Sequence, residues 1–297
     1  MSAQIISGKE ISAAIREELR KRVADLKERH GVTPGLATVL VGVDAGSQMY
    51  VGMKNRAAAE LGIYSRQVTL PQDTPEAELL GLVNGLNGDP VIHGILVQLP
   101  LPRHLDEGKV IEAIHPSKDV DGFTPLNTGR LMSGSGHFFA PCTPAGVVEM
   151  LLRSGHDPSG KRVVVLGRSN IVGQPLANLL LRKGRGGDAT VTVCHSRTRD
   201  LAAVTRTAEI LVVAIGRAEM ITGAMVSPGA VVIDVGTHRV DDPGSAKGYR
   251  VCGDVLFDEV KEVAAAISPS PGGVGPMTIT MLLANTVESA ELSTGAA

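Results

Sequence analysis

The stretch RVVVLGRSNIVGQPLANLLLRKGRGGDATVTVCHSRT, residues 162–198, decides how the rest of the chain is read. It opens on a short apolar run at 162–166, passes through a glycine-containing turn, and continues as a helix-like stretch at 175–183. A second apolar, β-branched run follows at 190–194. Strand, turn, helix and strand in that order make a βαβ unit, whose crossover forces the two strands parallel. Further short apolar runs at 210–215 and 231–235 add strands to the same sheet. Runs without polar alternation belong to strands buried on both faces, as a doubly wound sheet requires.

Upstream, the chain again alternates helical and strand patterns. A helix is expected over 9–29, ending near Gly31, and a strand over 36–43. Ser47 is placed to cap a helix running to Leu61, with Gly62 at its end. A strand at 66–70, a helix at 75–87 and an apolar strand at 95–99, stopped by Pro100, complete this half. Residues 134–143 are Gly- and Ser-bearing with little pattern, and a domain junction is set there. The expectation is two α/β domains, 1–140 and 141–275, the second a doubly wound Rossmann-like parallel sheet. A last helix over 276–292 is read as packing, within the segment 276–297, back on the first domain.

Composition narrows the class. A chain of 297 residues with 43% hydrophobic and 20% charged residues is long enough for two cores. With no Trp, three Tyr and four Phe, those cores must be aliphatic. A net charge of −2 offers no broad attraction to nucleic acid or anionic membrane. Met1 to Glu10 lacks the apolar core of a signal peptide, and no apolar run has the length of a membrane span. The three cysteines, Cys142, Cys194 and Cys252, are dispersed without CxxC spacing, which fits a reducing cytoplasm better than a disulfide framework. A soluble, cytoplasmic protein is expected.

The turn 167–175 reads GRSNIVGQP, with Ser169 where a GxGxxG motif has its second glycine. By spacing alone this is a weak nucleotide signal; the physical case is free N–H groups at a helix start facing an anion. The following strand ends Cys194-His195-Ser196-Arg197-Thr198, without the acid that holds the ribose of NAD. Ser196 and Arg197, with Arg168 from the turn, suit a 2′-phosphate instead. An arginine on a loop is often only a solvated charge, but the features together favour NADP.

In the first half, Tyr50 and Lys54 are four apart and share a helix face. Most helical lysines are solvated, so Lys54 alone carries little. Gln98 interrupts GILVQLP at the carboxyl end of a strand, where α/β proteins place ligands, although a buried amide also pairs with nearby backbone. The run Lys118-Asp119-Val120-Asp121-Gly122-Phe123 has two acids before a turn but lacks the rest of a calcium loop. Eight histidines lie without ligand spacing, so no metal is expected. His93 is read as structural.

Taken together, the segments resemble the bifunctional methylenetetrahydrofolate dehydrogenase/cyclohydrolase family. They are Tyr50-Val51 with Lys54, HGILVQLPLP at 93–102, KDVDGF at 118–123 and PCTP at 141–144. GRSNIVGQP at 167–175, Cys194-His195-Ser196, Asp234-Val235-Gly236 and PGGVGPMT at 271–278 continue the match nearly end to end.

The resemblance implies an NADP-dependent oxidoreductase and hydrolase of one-carbon metabolism with a folate substrate, a homodimer, and an active-site cleft between the domains. It assigns Lys54 as the catalytic lysine, Tyr50 as the residue orienting the pterin, Gln98 as the lysine's partner and Asp121 as the anchor of the pterin's amide edge. Gly167, Arg168, Ser169 and Ser196 would hold NADP, Thr237 would contact the nicotinamide side, and Gly272 and Gly273 would flank the folate. Thr237 and Ser270 depart from the family's usual Ile and Val, making the site more polar. To act as a base near neutral pH, Lys54 must lose some of its preference for charge, through partial burial beside Gln98.

Two other enzyme readings and one non-enzyme reading compete. A dehydrogenase without useful cyclohydrolase activity differs by accumulating methenyl product. A shikimate-type dehydrogenase shares the NADP half but leaves HGILVQLPLP unexplained. A folate-binding or regulatory protein that has lost catalysis is opposed by intact Tyr50, Lys54, Gln98 and Asp121.

Overall fold

The computed structural model describes residues 2–245 and 248–295. In chain order the elements begin β1 (Gln4–Ile5), α1 (Gly8–His30), β2 (Gly35–Val41), α2 (Ala45–Glu60) and β3 (Tyr64–Leu70). Next come α3 (Glu76–Gly88), β4 (Gly94–Val97), α4 (Glu107–Glu112), α5 (Pro125–Ser133) and α6 (Cys142–Arg153). The chain continues through β5 (Arg162–Leu166), α7 (Gly173–Leu181), β6 (Thr190–Cys194), α8 (Leu201–Thr205), β7 (Ile210–Val213) and β8 (Val231–Asp234). It closes with β9 (His238–Asp241), β10 (Tyr249–Cys252), α9 (Phe257–Val260), β11 (Ala266–Ile267) and α10 (Val274–Thr294).

The chain divides into two compact units: residues up to Ala13 with Thr143–Thr278, and Ala14–Cys142 with the chain from Ile279 onward. The first thirteen residues thus go with the later segment, because β1 pairs in parallel with β11. Helices α1 and α10 each contribute residues to both units.

The first unit holds a six-stranded sheet in the order β1-β11-β8-β7-β5-β6, every pairing parallel. Strands β5, β7 and β8 are buried almost throughout, as their unbroken Val, Ile and Leu runs dictate. Strand β6 departs from that expectation. It lies at the sheet edge and is largely exposed, which accounts for its alternating threonines. The chain leaves β5 toward β6 on one side and later fills β7 on the other. The crevice beyond the carboxyl ends of β5 and β7 is therefore the position where a doubly wound sheet takes a ligand.

The second unit has a three-stranded parallel sheet, β3-β2-β4, and repeats the logic on a smaller scale. Its core joins Val39 and Val41 with Leu79, Val83, Ile95 and Val97. A bridge between Ile95 and Asp119 lays the 119–121 segment alongside β4. The cap of α2 is Asp44, not Ser47: Asp44 Oδ1 accepts from Ser47 N at 2.7 Å, and Ser47 is buried inside the helix. The patternless junction at 134–143 ends at α6, whose start at Cys142 the sequence reading did not resolve. No helix among the described residues is long and apolar enough to cross a membrane.

Candidate functional site

In the second unit, three of the expected residues converge. Lys54 lies on α2 and is only 8% exposed, so it is not the solvated charge that most helical lysines are, and its burial is the one the resemblance calls for. Its Nζ donates to Gln98 Oε1 at 3.0 Å. Gln98 follows β4 directly, and its backbone N–H is held by the Val39 carbonyl at 2.8 Å. The Gln98 amide cannot turn freely. Its Nε2 donates to the Leu99 carbonyl at 2.6 Å, which leaves Oε1 facing the lysine. A buried ammonium is costly without partners, and this acceptor meets that need.

The helix bearing Lys54 is fixed by its next residue. Asn55 Oδ1 accepts from Thr38 Oγ1 at 3.1 Å and from Ser65 Oγ at 3.0 Å, and Asn55 Nδ2 donates to Gln67 Oε1 at 2.6 Å. These bonds tie α2 to β2 and β3 and set which way Lys54 points.

Asp121 completes the cluster. Burial pushes its carboxyl above the usual carboxylate range, and the nearby Lys54 charge and Cys142 thiol pull it partly back. The turn presenting it is organised by Asp119, which is 1% exposed. Asp119 Oδ1 accepts from Gly122 N at 3.0 Å and Phe123 N at 3.1 Å, and its Oδ2 from Thr124 N and Asn127 Nδ2, both at 2.8 Å. Gly122 has φ +74°, and a Cβ there would lie 2.4 Å from the Phe139 carbonyl oxygen, so only glycine fits. Asn285 on α10 donates to the Val120 carbonyl at 2.8 Å and fastens the turn from the other side. The Cys142 thiol donates to the same carbonyl at 3.3 Å, and burial pushes that thiol well above its ordinary value.

Tyr50 stands one helical turn before Lys54 and is 40% exposed, available to a flat ligand rather than packed in the core. His93 is structural: buried, its Nδ1 accepts from Gly35 N at 3.0 Å, and burial followed by the Lys118 charge lowers its pKa. Lys118 is also spoken for, since its Nζ donates to the carbonyls of Leu86 and Asp89 at the end of α3. The roles of Asp119 and Asn285 went unseen in the sequence. For Asp119 the signal was the doubled acid of KDVD; for Asn285 there was none, since its partners are distant in sequence.

The nucleotide turn belongs to the first unit. Gly167 follows β5 directly with φ +121°, and a Cβ there would sit 2.1 Å from the Ala214 carbonyl oxygen, so the turn requires glycine. The amides opening α7 are not left free as the sequence suggested. Ser169 Oγ accepts from Val172 N at 3.2 Å and more weakly from Gly173 N at 3.5 Å, and the Ser169 carbonyl accepts from Gln174 N at 3.1 Å. Ser169 therefore shapes the turn, and the charge left for an anion is that of Arg168.

Arg168 and Ser196 are exposed and, with Gly167, Ser169, His195 and Arg217, line a pocket of about 520 Å³ beyond β5, β6 and β7. The pocket's size, its glycine turn and a guanidinium with no partner among the described residues fit the adenosine end of a dinucleotide. Thr237 is exposed in the loop after β8 and does not line this pocket. Ser270 Oγ donates to the Gly236 carbonyl at 2.7 Å, which gives that polar residue a structural use. Gly272 and Gly273 lie in this same unit, just before α10. No group of three or more His, Cys, Asp or Glu suited to a metal ion occurs among the described residues.

The fold and turn define a protein with a pyridine-nucleotide domain joined to a second α/β unit that holds a buried lysine. Comparison with known proteins specifies this further. The family model described as the NAD(P)-binding domain of tetrahydrofolate dehydrogenase/cyclohydrolase matches residues 141–294, and that of its catalytic domain matches residues 6–121. The chain belongs to the tetrahydrofolate dehydrogenase/cyclohydrolase family. It is 55% identical to the bifunctional protein FolD of Syntrophus aciditrophicus over 99% of this chain and 100% of that one.

Among solved structures, the FolD methylenetetrahydrofolate dehydrogenase/cyclohydrolase of Campylobacter jejuni matches with a TM-score of 0.92 and 45% identity, covering 98% and 100% of the two chains. The Trypanosoma brucei enzyme, complexed with NADP cofactor and inhibitor, matches with a TM-score of 0.92 and 43% identity over 99% of each chain.

Proposed function

We propose that this chain oxidises 5,10-methylenetetrahydrofolate to the 5,10-methenyl form with NADP and then hydrolyses that product to 10-formyltetrahydrofolate. The observation that carries the reading is the buried Lys54, bonded to a fixed Gln98 Oε1 at 3.0 Å beside Asp121, in a chain of this family. Bound on the turn at Gly167, with Ser169 shaping that turn, NADP supplies the hydride acceptor. Arg168 and Ser196 bind the 2′-phosphate by charge-assisted and hydroxyl hydrogen bonds. Thr237 contacts the nicotinamide side.

On the folate, Asp121 accepts hydrogen bonds from the amide edge of the pterin, and Tyr50 packs against the ring system. Gly272 and Gly273 leave room for the substrate's approach. In the hydrolytic half, water adds to the cationic methenyl carbon and gives up a proton. The hydroxyl on that carbon then gives up its proton to become the formyl oxygen as the bond from carbon to N5 breaks and N5 takes a proton. Two protons leave, one is taken up and one is released overall. Lys54 carries these protons, and Gln98 keeps its Nζ aimed at the reacting carbon. Residues 14–142 with the chain from 279 form the folate-binding domain, in place of the expected 1–140 with 276–297. Residues up to 13 with 143–278 form the NADP-binding domain, in place of 141–275, and the enzyme acts as a cytoplasmic homodimer.

A coupled assay with methylenetetrahydrofolate, run separately with NADP and with NAD, tests the reading. Methenyl and then formyl product should appear with NADP. No reduction of either nucleotide would defeat it.

A further inference from the structure

The loops at the nucleotide side of the first unit hang on two buried carboxylates that the chemistry above does not use. Asp254, 0% exposed, accepts from three successive backbone amides: Ile215 N at 2.7 Å, Gly216 N at 3.1 Å and Arg217 N at 2.8 Å. His238 Nε2 lies 2.7 Å from the same carboxylate, on its Oδ1. Asp254 is itself held by Asp234, 4% exposed at the end of β8, which accepts from Asp254 N and Val255 N at 3.0 Å and from Gly236 N at 2.9 Å.

Ile215 and Arg217 line the nucleotide pocket together with Arg168 and Ser196. A loop following a strand does not ordinarily offer three consecutive N–H groups to one buried acceptor. Left alone, those amides would face the pocket or water, and the loop would be free to choose. A carboxylate that accepts several backbone N–H bonds is a strong, charge-assisted anchor. Two further backbone bonds run between the same segments: Glu219 N to the Gly253 carbonyl and Ile221 N to the Asp254 carbonyl, each at 3.0 Å.

We propose that Asp254 is a positioning residue for the dehydrogenase half-reaction, presetting the Ile215–Arg217 loop so that the Arg217 side chain stands at the nucleotide pocket before NADP binds. The proposal rests on the nucleotide reading above. It assigns Arg217 as a second guanidinium on that pocket, facing nucleotide phosphate from the β7 side while Arg168 faces it from the β5 side. Asp254 touches neither cofactor nor folate, and acts only through the loop.

The test is Asp254→Asn in the full-length protein. The asparagine sets an NH2 group against backbone donors and loosens the loop. Calorimetry with NADP should show Kd rising roughly ten- to a hundredfold. Hydrolysis of supplied methenyltetrahydrofolate, which needs no nucleotide, should stay within about twofold of wild type. An NADP Kd unchanged in a variant that still hydrolyses would overturn the proposal.

Should the variant fail to fold, amide hydrogen exchange on the wild type decides. Without nucleotide, the Ile215, Gly216 and Arg217 amides should already exchange slowly, while exchange as fast as that of the exposed Ser196 would overturn the preset loop. A wild type that binds NADP but oxidises no folate defeats the functional reading and leaves the preset nucleotide loop standing, because NADP calorimetry and hydrogen exchange do not depend on the oxidation of folate.

Discussion

Lys54 and Arg168 are both cations proposed to meet the ligands of one enzyme, yet the protein treats them in opposite ways. Lys54 is buried, bonded to Gln98, and faces a carboxyl held by its own four-bond turn. Arg168 and Ser196 stand exposed on loops, and their side chains engage no described residue. Proton transfer demands a group already aimed, because misplacement by an ångström costs rate. Cofactor recognition can wait, because the phosphate itself organises a guanidinium on arrival. The reacting site is therefore wired in advance, and the recognition site is wired by its ligand, on a backbone that Gly167, Ser169 and Asp254 hold in place.

The largest expected effect breaks the wired side. Lys54→Met should lower the cyclohydrolase rate by about 10²–10⁴-fold, the range for a lost general acid or base. The fold should survive, since Met fills similar space without a charge to bury. A thermal melt that collapses along with the rate would place Lys54 in the structure rather than the chemistry.

Asp121→Asn comes next. It replaces one acceptor with a donor facing the pterin's own N–H groups. Folate affinity should fall about ten- to a hundredfold, both activities together, with NADP binding near wild type. Equilibrium binding of folate at wild-type strength would contradict the assignment.

On the ligand-wired side, Arg168→Ala should weaken NADP by about tenfold or more, from the loss of one charge-assisted bond, and NAD far less. Equal losses for the two nucleotides, measured by KM, would show that Arg168 does not read the 2′-phosphate.

The smallest effect concerns Asp234 beneath the nucleotide loops. Burial raises its carboxyl to about 6, against the opposing pull of the Asp254, Val255 and Gly236 amides. A folded value above the unfolded one means that ionisation favours unfolding. The contribution is complete below roughly pH 4 and is lost as pH rises through about 6. Relative to Asp234→Asn, the wild-type Tm should drop on the order of a few degrees between pH 4 and 7. A Tm difference independent of pH would contradict the shift.

Much of the architecture was legible in the sequence because it rests on local pattern. The β5–α7–β6 unit could be read directly, since unbroken Val and Leu runs and a glycine turn have few other uses. Lys54, Gln98 and Asp121 could be named through family resemblance, and Gln98 also because an amide in an apolar strand needs a partner. The bonds that aim them were not legible. Asn285 reaches Val120 across 165 positions, and Asp254 reaches Ile215 across 39, separations at which no periodicity speaks. Ser47 reads as a cap in the sequence, but Asp44, three residues earlier, offers the same chemistry and takes the position. The edge position of β6 depends on strand order, which only the folded sheet reveals.

The central claim is that one chain performs two reactions with separable groups. A single time course following methenyl and formyl products tests it, with wild type, Lys54→Met and Arg168→Ala run side by side. With NADP, Lys54→Met should form methenyl product and let it accumulate. At NADP below the wild-type KM, Arg168→Ala should form it about tenfold more slowly or worse, yet hydrolyse supplied methenyltetrahydrofolate at the wild-type rate. Hydrolysis at the wild-type rate by Lys54→Met would contradict the account and remove the lysine from the reaction.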